Sequence, residues 1–272
     1  LKKLKPKKLP LHPMSERPLI LVSNDDGITA PGIRTLVDAV KHLGEVIVVA
    51  PDSPQSAMGH AVTISRPLRL EKTNLYGDIV SYQCSGTPAD CVKLAVDKVM
   101  HRKPDLLVSG INHGSNSSIN VIYSGTMSAA VEGAIEGIPA VGFSLCDFSY
   151  DADFTLAKRV SRKIASDILT NGLPKGVLLN VNVPKIDESE WQGFKVCRQA
   201  NAKWQEEFDE RQDPNGRKYY WLTGKFVNYD QGEDTDEWAL ANKYASVVPV
   251  QFDLTAHHAI SYLNTWNFTN EN

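Results

Sequence analysis

The apolar positions fall into two kinds of grouping, short unbroken runs and sets spaced three or four apart, and the two alternate along most of the chain. Residues 19–22 (LILV) form the first unbroken run, as expected of a strand covered on both faces. Ile33, Leu36, Val37 and Val40 then recur at helical spacing, Gly44 stops that helix, and residues 45–50 read as a second buried strand. A right-handed βαβ unit is the expected opening. Residues 61–85 alternate through Val62, Ile64, Leu68 and Leu70 and again through Ile79 and Tyr82, with a turn at 74–78, which predicts a hairpin. Thr87 or Ser85 caps a helix whose inner face carries Cys91, Leu94, Ala95 and Val99. Strands are expected at 104–109, 139–145 and 177–183, with a helix opening at Ser124 and another at 154–169 that ends on Asn171 and Gly172. This alternation predicts an α/β protein with a doubly wound, mostly parallel sheet in three layers, α/β/α.

From about residue 185 the texture changes. Residues 194–199 and 219–226 read as strands separated by the charged stretch 204–218, which predicts a C-terminal antiparallel β-hairpin appendage. Its aromatics, Trp204, Tyr219, Tyr220 and Trp221, suit an oligomer contact, a substrate wall or a small core. Residues 244–252 alternate as a late strand, and Thr255 is expected to cap a short final helix. The expected organisation is therefore a loose basic tail at 1–17, a core at 18–185, the appendage at 186–243, and a strand and helix at 244–272 that return to the core or to a neighbouring subunit.

Composition narrows the function classes. A net charge of −3 gives no global attraction to nucleic acid or to an anionic membrane, so neither is an expected partner and any phosphate site must be local. The five lysines and four prolines of the first 18 residues read as a solvated arm. The cysteines, Cys84, Cys91, Cys146 and Cys197, form no CxxC pair and read as reduced core thiols. No apolar run approaches the roughly 18 to 20 residues of a membrane span, which makes the cytoplasm the expected location.

The chemistry concentrates where the first strand ends. Asp25 and Asp26 follow it directly, at the carboxyl end where open α/β sheets bind ligands. Two adjacent carboxylates repel unless a cation or water lies between them; the alternative is a turn shaped by Asn24 and Asp25 with Asp26 as a helix cap. The loop PDSPQSAMGH after the second strand puts Ser53 and Ser56 at the same sheet edge, and Ser56 can add an oxygen ligand or serve as a turn residue. The loop GINHGSNSSIN after the strand ending at Ser109 supplies Asn112, whose carbonyl oxygen can coordinate. Ser124, Gly125 and Thr126 open a helix, either as an ordinary cap or as a phosphate cradle. Asp25, Asp26, Ser56 and Asn112 are all hard oxygen donors, suited to one magnesium or manganese ion per subunit rather than zinc. Such an ion polarises a phosphoryl oxygen and lowers the pKa of a bound water, so the expected reaction is metal-assisted hydrolysis of a phosphate monoester.

The same residues carry a family resemblance. The segments Ser23-Asn24-Asp25-Asp26-Gly27, Val49-Ala50-Pro51-Asp52 with Ser56, Gly86-Thr87-Pro88-Ala89-Asp90-Cys91-Val92-Lys93, Ser109-Gly110-Ile111-Asn112 with Gly114 and Asn116, and Ser124-Gly125-Thr126 resemble the SurE family of nucleotidases and acid phosphatases over about residues 18–260. The resemblance implies a Rossmann-like core, a divalent metal on Asp25, Asp26, Ser56 and Asn112, and hydrolysis of nucleoside 5′-monophosphates, with 3′ esters and polyphosphate as further substrates. It also implies catalytic roles for Asp25, Asp26 and Asn112, phosphate binding by Asn112, Asn116, Ser124, Gly125 and Thr126, and a homodimer or homotetramer built partly by exchange of C-terminal segments. One position departs from the pattern: Pro54-Gln55 stands where the family usually carries a basic residue.

Two rivals come from other classes. A haloacid-dehalogenase-type phosphatase needs a second Asp two residues after its nucleophile, but Gly27 stands two after Asp25. A nucleotide-binding module without catalysis shares the expected fold, and no GxGxxG follows the first strand to indicate a dinucleotide.

Overall fold

A computed structural model describes residues 17–149, 151–266 and 268. The basic tail therefore lies almost wholly outside the described residues. The chain opens with β1 (Leu19–Ser23), α1 (Pro31–Val40) and β2 (Glu45–Pro51), then β3 (Leu70–Thr73), β4 (Val80–Cys84) and α2 (Pro88–Leu94). The core continues through β5 (Leu106–His113), α3 (Gly125–Ile135), β6 (Ala140–Leu145), α4 (Thr155–Asn171) and β7 (Val177–Val183). After these come β8 (Phe194–Val196), β9 (Ala202–Gln212), β10 (Lys218–Asn228), α5 (Asp236–Ala241), β11 (Ala245–Gln251) and α6 (Ile260–Leu263).

Among the described residues nine strands form one sheet in the order β3-β4-β2-β1-β5-β6-β7-β11-β8. From β4 to β7 every pairing is parallel, and antiparallel neighbours, β3 and β11, bound that centre. The unbroken run of β1 is explained by its two covered faces. Ile20 and Val22 pack into the cluster with Ile33 and Leu36 of α1 and Leu156 and Val160 of α4, whereas Leu19 and Leu21 join Cys91 and Val92 of α2 and Met127 and Ala130 of α3. Helices on both faces of a mostly parallel sheet make the expected three layers. The chain steps one way from β1 to β2 and the other way from β1 to β5, so the carboxyl ends of β1 and β5 flank a topological switch point, where such sheets form a crevice.

Five segments depart from the sequence reading. The strand expected over 194–199 within the hairpin shortens to β8 and joins the main sheet parallel to β11. Residues 61–66 form no strand, and Ile64 is 92% exposed; the segment is held to the start of α2 instead, where Thr63 N–H donates to Asp90 Oδ1 at 3.0 Å and Thr87 Oγ1 donates to Ala61 O at 2.7 Å. The alternation pairs only from Leu70 onward, as the β3–β4 hairpin. β5 runs on through Asn112 and His113, because an irregularity between Ser109 and Asn112 lets Asn112 pair with Ser144. The charged stretch 204–218 is no separator, since most of it is β9, paired with β10 from Ala202 to Gln212. Thr255 does not cap the last helical turn through its side chain; Ala256 precedes the turn at His257–Ala259 without a side-chain cap.

β9 and β10 form a separate two-stranded ribbon, largely exposed on both faces, with Trp204, Tyr219, Tyr220 and Trp221 all exposed. All four cysteines are free. No helix among the described residues is long and apolar enough to cross a membrane.

Candidate active site

The crevice is built from the ends of β1, β2 and β5 and the start of α3. β1 delivers Asp25 into a buried position, 4% exposed, and Asp26 to its rim. Asn24 fixes the turn between them and the sheet, its Nδ2 donating to Gly27 O at 2.9 Å while its buried Oδ1 has no partner among the described residues. Asp25 is gripped from two sides: Thr126 donates its hydroxyl to Oδ1, and the Gln55 N–H donates to the Asp25 carbonyl at 2.7 Å. α3 comes so close that a Cβ on Gly125 would lie 2.6 Å from Asp25 Cβ, so this position admits only glycine without displacement. Gly32 plays the same part where α1 meets β5, since a Cβ there would fall 1.9 Å from Ile111 O.

Burial, aided by the neighbouring Asp26 carboxylate, pushes the Asp25 carboxyl up to about 6 against the hydrogen bonds from Thr126. Burial also raises Asp26 above the ordinary carboxylate value, opposed by His113. The His113 N–H donates to Asp26 Oδ2 at 3.3 Å, its Nδ1 stands 3.7 Å from the same oxygen, and its ring rests edge-on against Phe154. This pair of carboxylates is short of counter-charge, and a cation would supply it.

Asn112 spends its Nδ2 on Gly114 O at 2.8 Å, which leaves Oδ1 as an acceptor with no hydrogen-bond partner among the described residues. Ser56 is exposed on the loop that Gln55 ties to Asp25, one residue beyond that bond. Ser124 caps α3, its Oγ accepting from Met127 N–H at 3.0 Å while its own O–H can still donate. The N-terminus of this 11-residue helix adds positive potential beside Asp25. The wholly buried Thr126 uses its hydroxyl on Asp25. Asn116 is drawn behind the crevice: its Nδ2 donates to Ser144 Oγ at 2.8 Å, its N–H to Asn182 Oδ1 at 2.8 Å, and its C=O accepts from Asn180 Nδ2 at 2.8 Å.

The donor set fits a hard divalent cation. Two carboxylates, a hydroxyl and an amide carbonyl are all oxygen ligands, and the raised Asp25 is a carboxylate that a cation would return to its ionised form. Among the described residues no three His, Cys, Asp or Glu side chains converge as a metal site would require for zinc. Sequence reasoning passed over His113, although it directly follows Asn112; its backbone and ring both meet Asp26.

Residues 20–206 match the family described as Survival protein SurE. The chain belongs to the SurE family. Over 254 residues it is 66% identical to a protein of Christiangramia forsetii named 5′-nucleotidase SurE, covering 93% of this chain and 98% of that one. Over 252 residues it is 64% identical to the Flavobacterium psychrophilum protein of the same name, covering 92% and 98%. A crystal structure of SurE protein from Aquifex aeolicus superposes with a TM-score of 0.80 at 39% identity, over 91% of this chain and 98% of the other. Every candidate ligand and phosphate residue, from Asp25 to Thr126, lies inside the matched segment of this SurE chain.

Proposed function

We propose that the chain is a divalent-metal-dependent phosphomonoesterase that hydrolyses nucleoside 5′-monophosphates to nucleoside and phosphate, with 3′ esters and polyphosphate as secondary substrates. The observation that carries the reading is the pair of adjacent carboxylates, Asp25 pushed up to about 6, facing the start of α3 at the switch point of the sheet. The relatives named 5′-nucleotidase SurE support the choice of substrate.

In this reading Asp25, Asp26, Ser56 and Asn112 hold one magnesium or manganese ion per subunit, which supplies Lewis-acid polarisation of the ester and a water of lowered pKa. The phosphate rests against the N-terminus of α3, where Ser124 donates its hydroxyl, Gly125 lets Asp25 lie against the helix start and Thr126 keeps Asp25 aimed. Asn112 presents its carbonyl oxygen because Gly114 holds its amide nitrogen. Asn116 contributes by fixing the backbone beyond Asn112. The exposed aromatics of the β9–β10 ribbon fit a homodimer or homotetramer.

The test is phosphate release from a panel of nucleoside monophosphates after EDTA treatment, with magnesium, manganese or zinc added back singly. Recovery with magnesium or manganese is expected. Turnover indifferent to EDTA would favour a covalent aspartyl mechanism, and nucleotide binding without turnover under any metal would leave a binding module.

A further inference from the structure

The loop at residues 52–60, which carries Gln55 and Ser56 and is tied to the Asp25 main-chain carbonyl through the Gln55 N–H, is exposed for most of its length. Main-chain bonds fasten it to the body: Asp52 N–H to Cys84 O at 2.9 Å, Gln55 N–H to Asp25 O at 2.7 Å, and Gly59 N–H to Tyr123 O at 3.1 Å. Within it Ala57 has φ of 58°, a left-handed conformation that a residue with a Cβ adopts only under constraint. The constraint from side chains comes at the loop's end, where His60 Nε2 stands 2.8 Å from Glu132 Oε2.

Glu132 is an unusual residue for its place. Its side chain is 2% exposed in the middle of α3, among Ala129, Ala130, Gly133 and Ala134, where packing alone calls for a small apolar residue. Its second oxygen takes Lys93 Nζ of α2 at 2.6 Å, so the buried carboxylate is held by donors from two separate elements. Burial works to raise the Glu132 carboxyl, but the bonds from His60 and Lys93 outweigh it and hold the group ionised below its ordinary value. The same helix that grips Asp25 through Thr126 thus reaches the loop carrying Ser56 through Glu132, about 9 Å further along its axis.

We propose that Glu132, acting through His60, is a positioning residue that clamps the 52–60 loop against α3 so that Gln55 and Ser56 are held at the carboxylates. The role of Ser56 rests on the function proposed above; the clamp itself does not. Lys93 keeps Glu132 ionised, while His60 carries the hold to the loop.

The test uses the full chain with His60→Ala, Glu132→Gln and Lys93→Ala, after near-ultraviolet dichroism has shown each to be folded. Hydrogen exchange at the Gln55 and Gly59 amides is read on EDTA-treated protein, free of any dependence on metal or turnover. His60→Ala is expected to speed both amides by about tenfold to a hundredfold, the range of one hydrogen bond to a charged group. Glu132→Gln should do so less, because the amide can still accept from His60, and Lys93→Ala, which leaves the carboxylate less firmly ionised, should fall between Glu132→Gln and wild type. In the same proteins manganese affinity should fall with the exchange change for His60→Ala and recover in part with His60→Gln. Unchanged exchange at both amides in His60→Ala would overturn the clamp. Faster exchange with no change in manganese affinity or in turnover would keep the clamp and remove Ser56 from the site, so the two readings fail separately.

Discussion

Asp25→Asn separates the cost of the buried carboxylate from its use. In the metal-free protein its carboxyl sits at about 6 rather than the ordinary 3.8, because burial and the Asp26 charge disfavour ionisation. Each pKa unit corresponds to about 1.4 kcal/mol, so the ionised native state carries a penalty of about 3 kcal/mol. The native pKa is raised, so the native state binds more protons than the unfolded chain between about 4 and 6, and stability falls as pH rises through that window. Above about 6 the whole penalty is present, and below about 4 it has gone. The Asn variant carries no such charge and its Oδ1 can still accept from Thr126. Urea unfolding followed by tryptophan fluorescence in EDTA, at one protein concentration, should find Asp25→Asn more stable than wild type by up to about 3 kcal/mol at pH 7.5 and equal to it near pH 4. Manganese at a hundred times its Kd should then add about 2.7 kcal/mol to wild type alone. A variant less stable than wild type by the same margin at both pH values would refute the reasoning, since Asp25 would then be acting as a stabilising structural carboxylate.

Three further substitutions probe the same crevice. Thr126→Val removes the hydroxyl that favours the ionised Asp25, and turnover should fall about tenfold to a hundredfold, with Thr126→Ser restoring most of it in a steady-state assay. Gly125→Ala puts a methyl 2.6 Å from Asp25 Cβ and should lower the unfolding free energy by about 1 to 3 kcal/mol along with turnover; a variant equal to wild type in both would show that α3 can move freely. Gln55→Arg places a basic side chain on the residue whose N–H bonds the Asp25 carbonyl, and kinetics on a nucleoside monophosphate should show a lower KM with kcat little changed, the sign of added ground-state binding.

How much of this was legible depended on whether a residue's surroundings impose a pattern along the chain. β1 and β2 are covered on both faces through most of their length, so their runs are continuous and easily read. Ser124 was readable as a helix start because the apolar face follows it directly, and it does cap α3. β9 was not readable: its ribbon has solvent on both faces, so charged residues fill it and no alternation marks it as a strand. Val62 and Ile64 alternate as a strand would, yet the capping of α2 claims that segment's backbone. Glu132 reads as the polar side of a helix, and its burial is set by His60 and Lys93, which approach from distant parts of the chain. The two carboxylates were plain in the sequence, whereas the hold of Thr126 on Asp25 and of His113 on Asp26 needed the fold.

The central claim, that one cation on oxygen ligands drives the ester hydrolysis, is tested most directly by electron paramagnetic resonance of manganese titrated into the EDTA-treated protein, with phosphate release from a nucleoside monophosphate followed in the same samples. The account predicts one bound ion per chain, turnover rising in step with occupancy, and loss of both in Asp26→Asn. Turnover that persists without bound manganese, or full binding in Asp26→Asn, would contradict it.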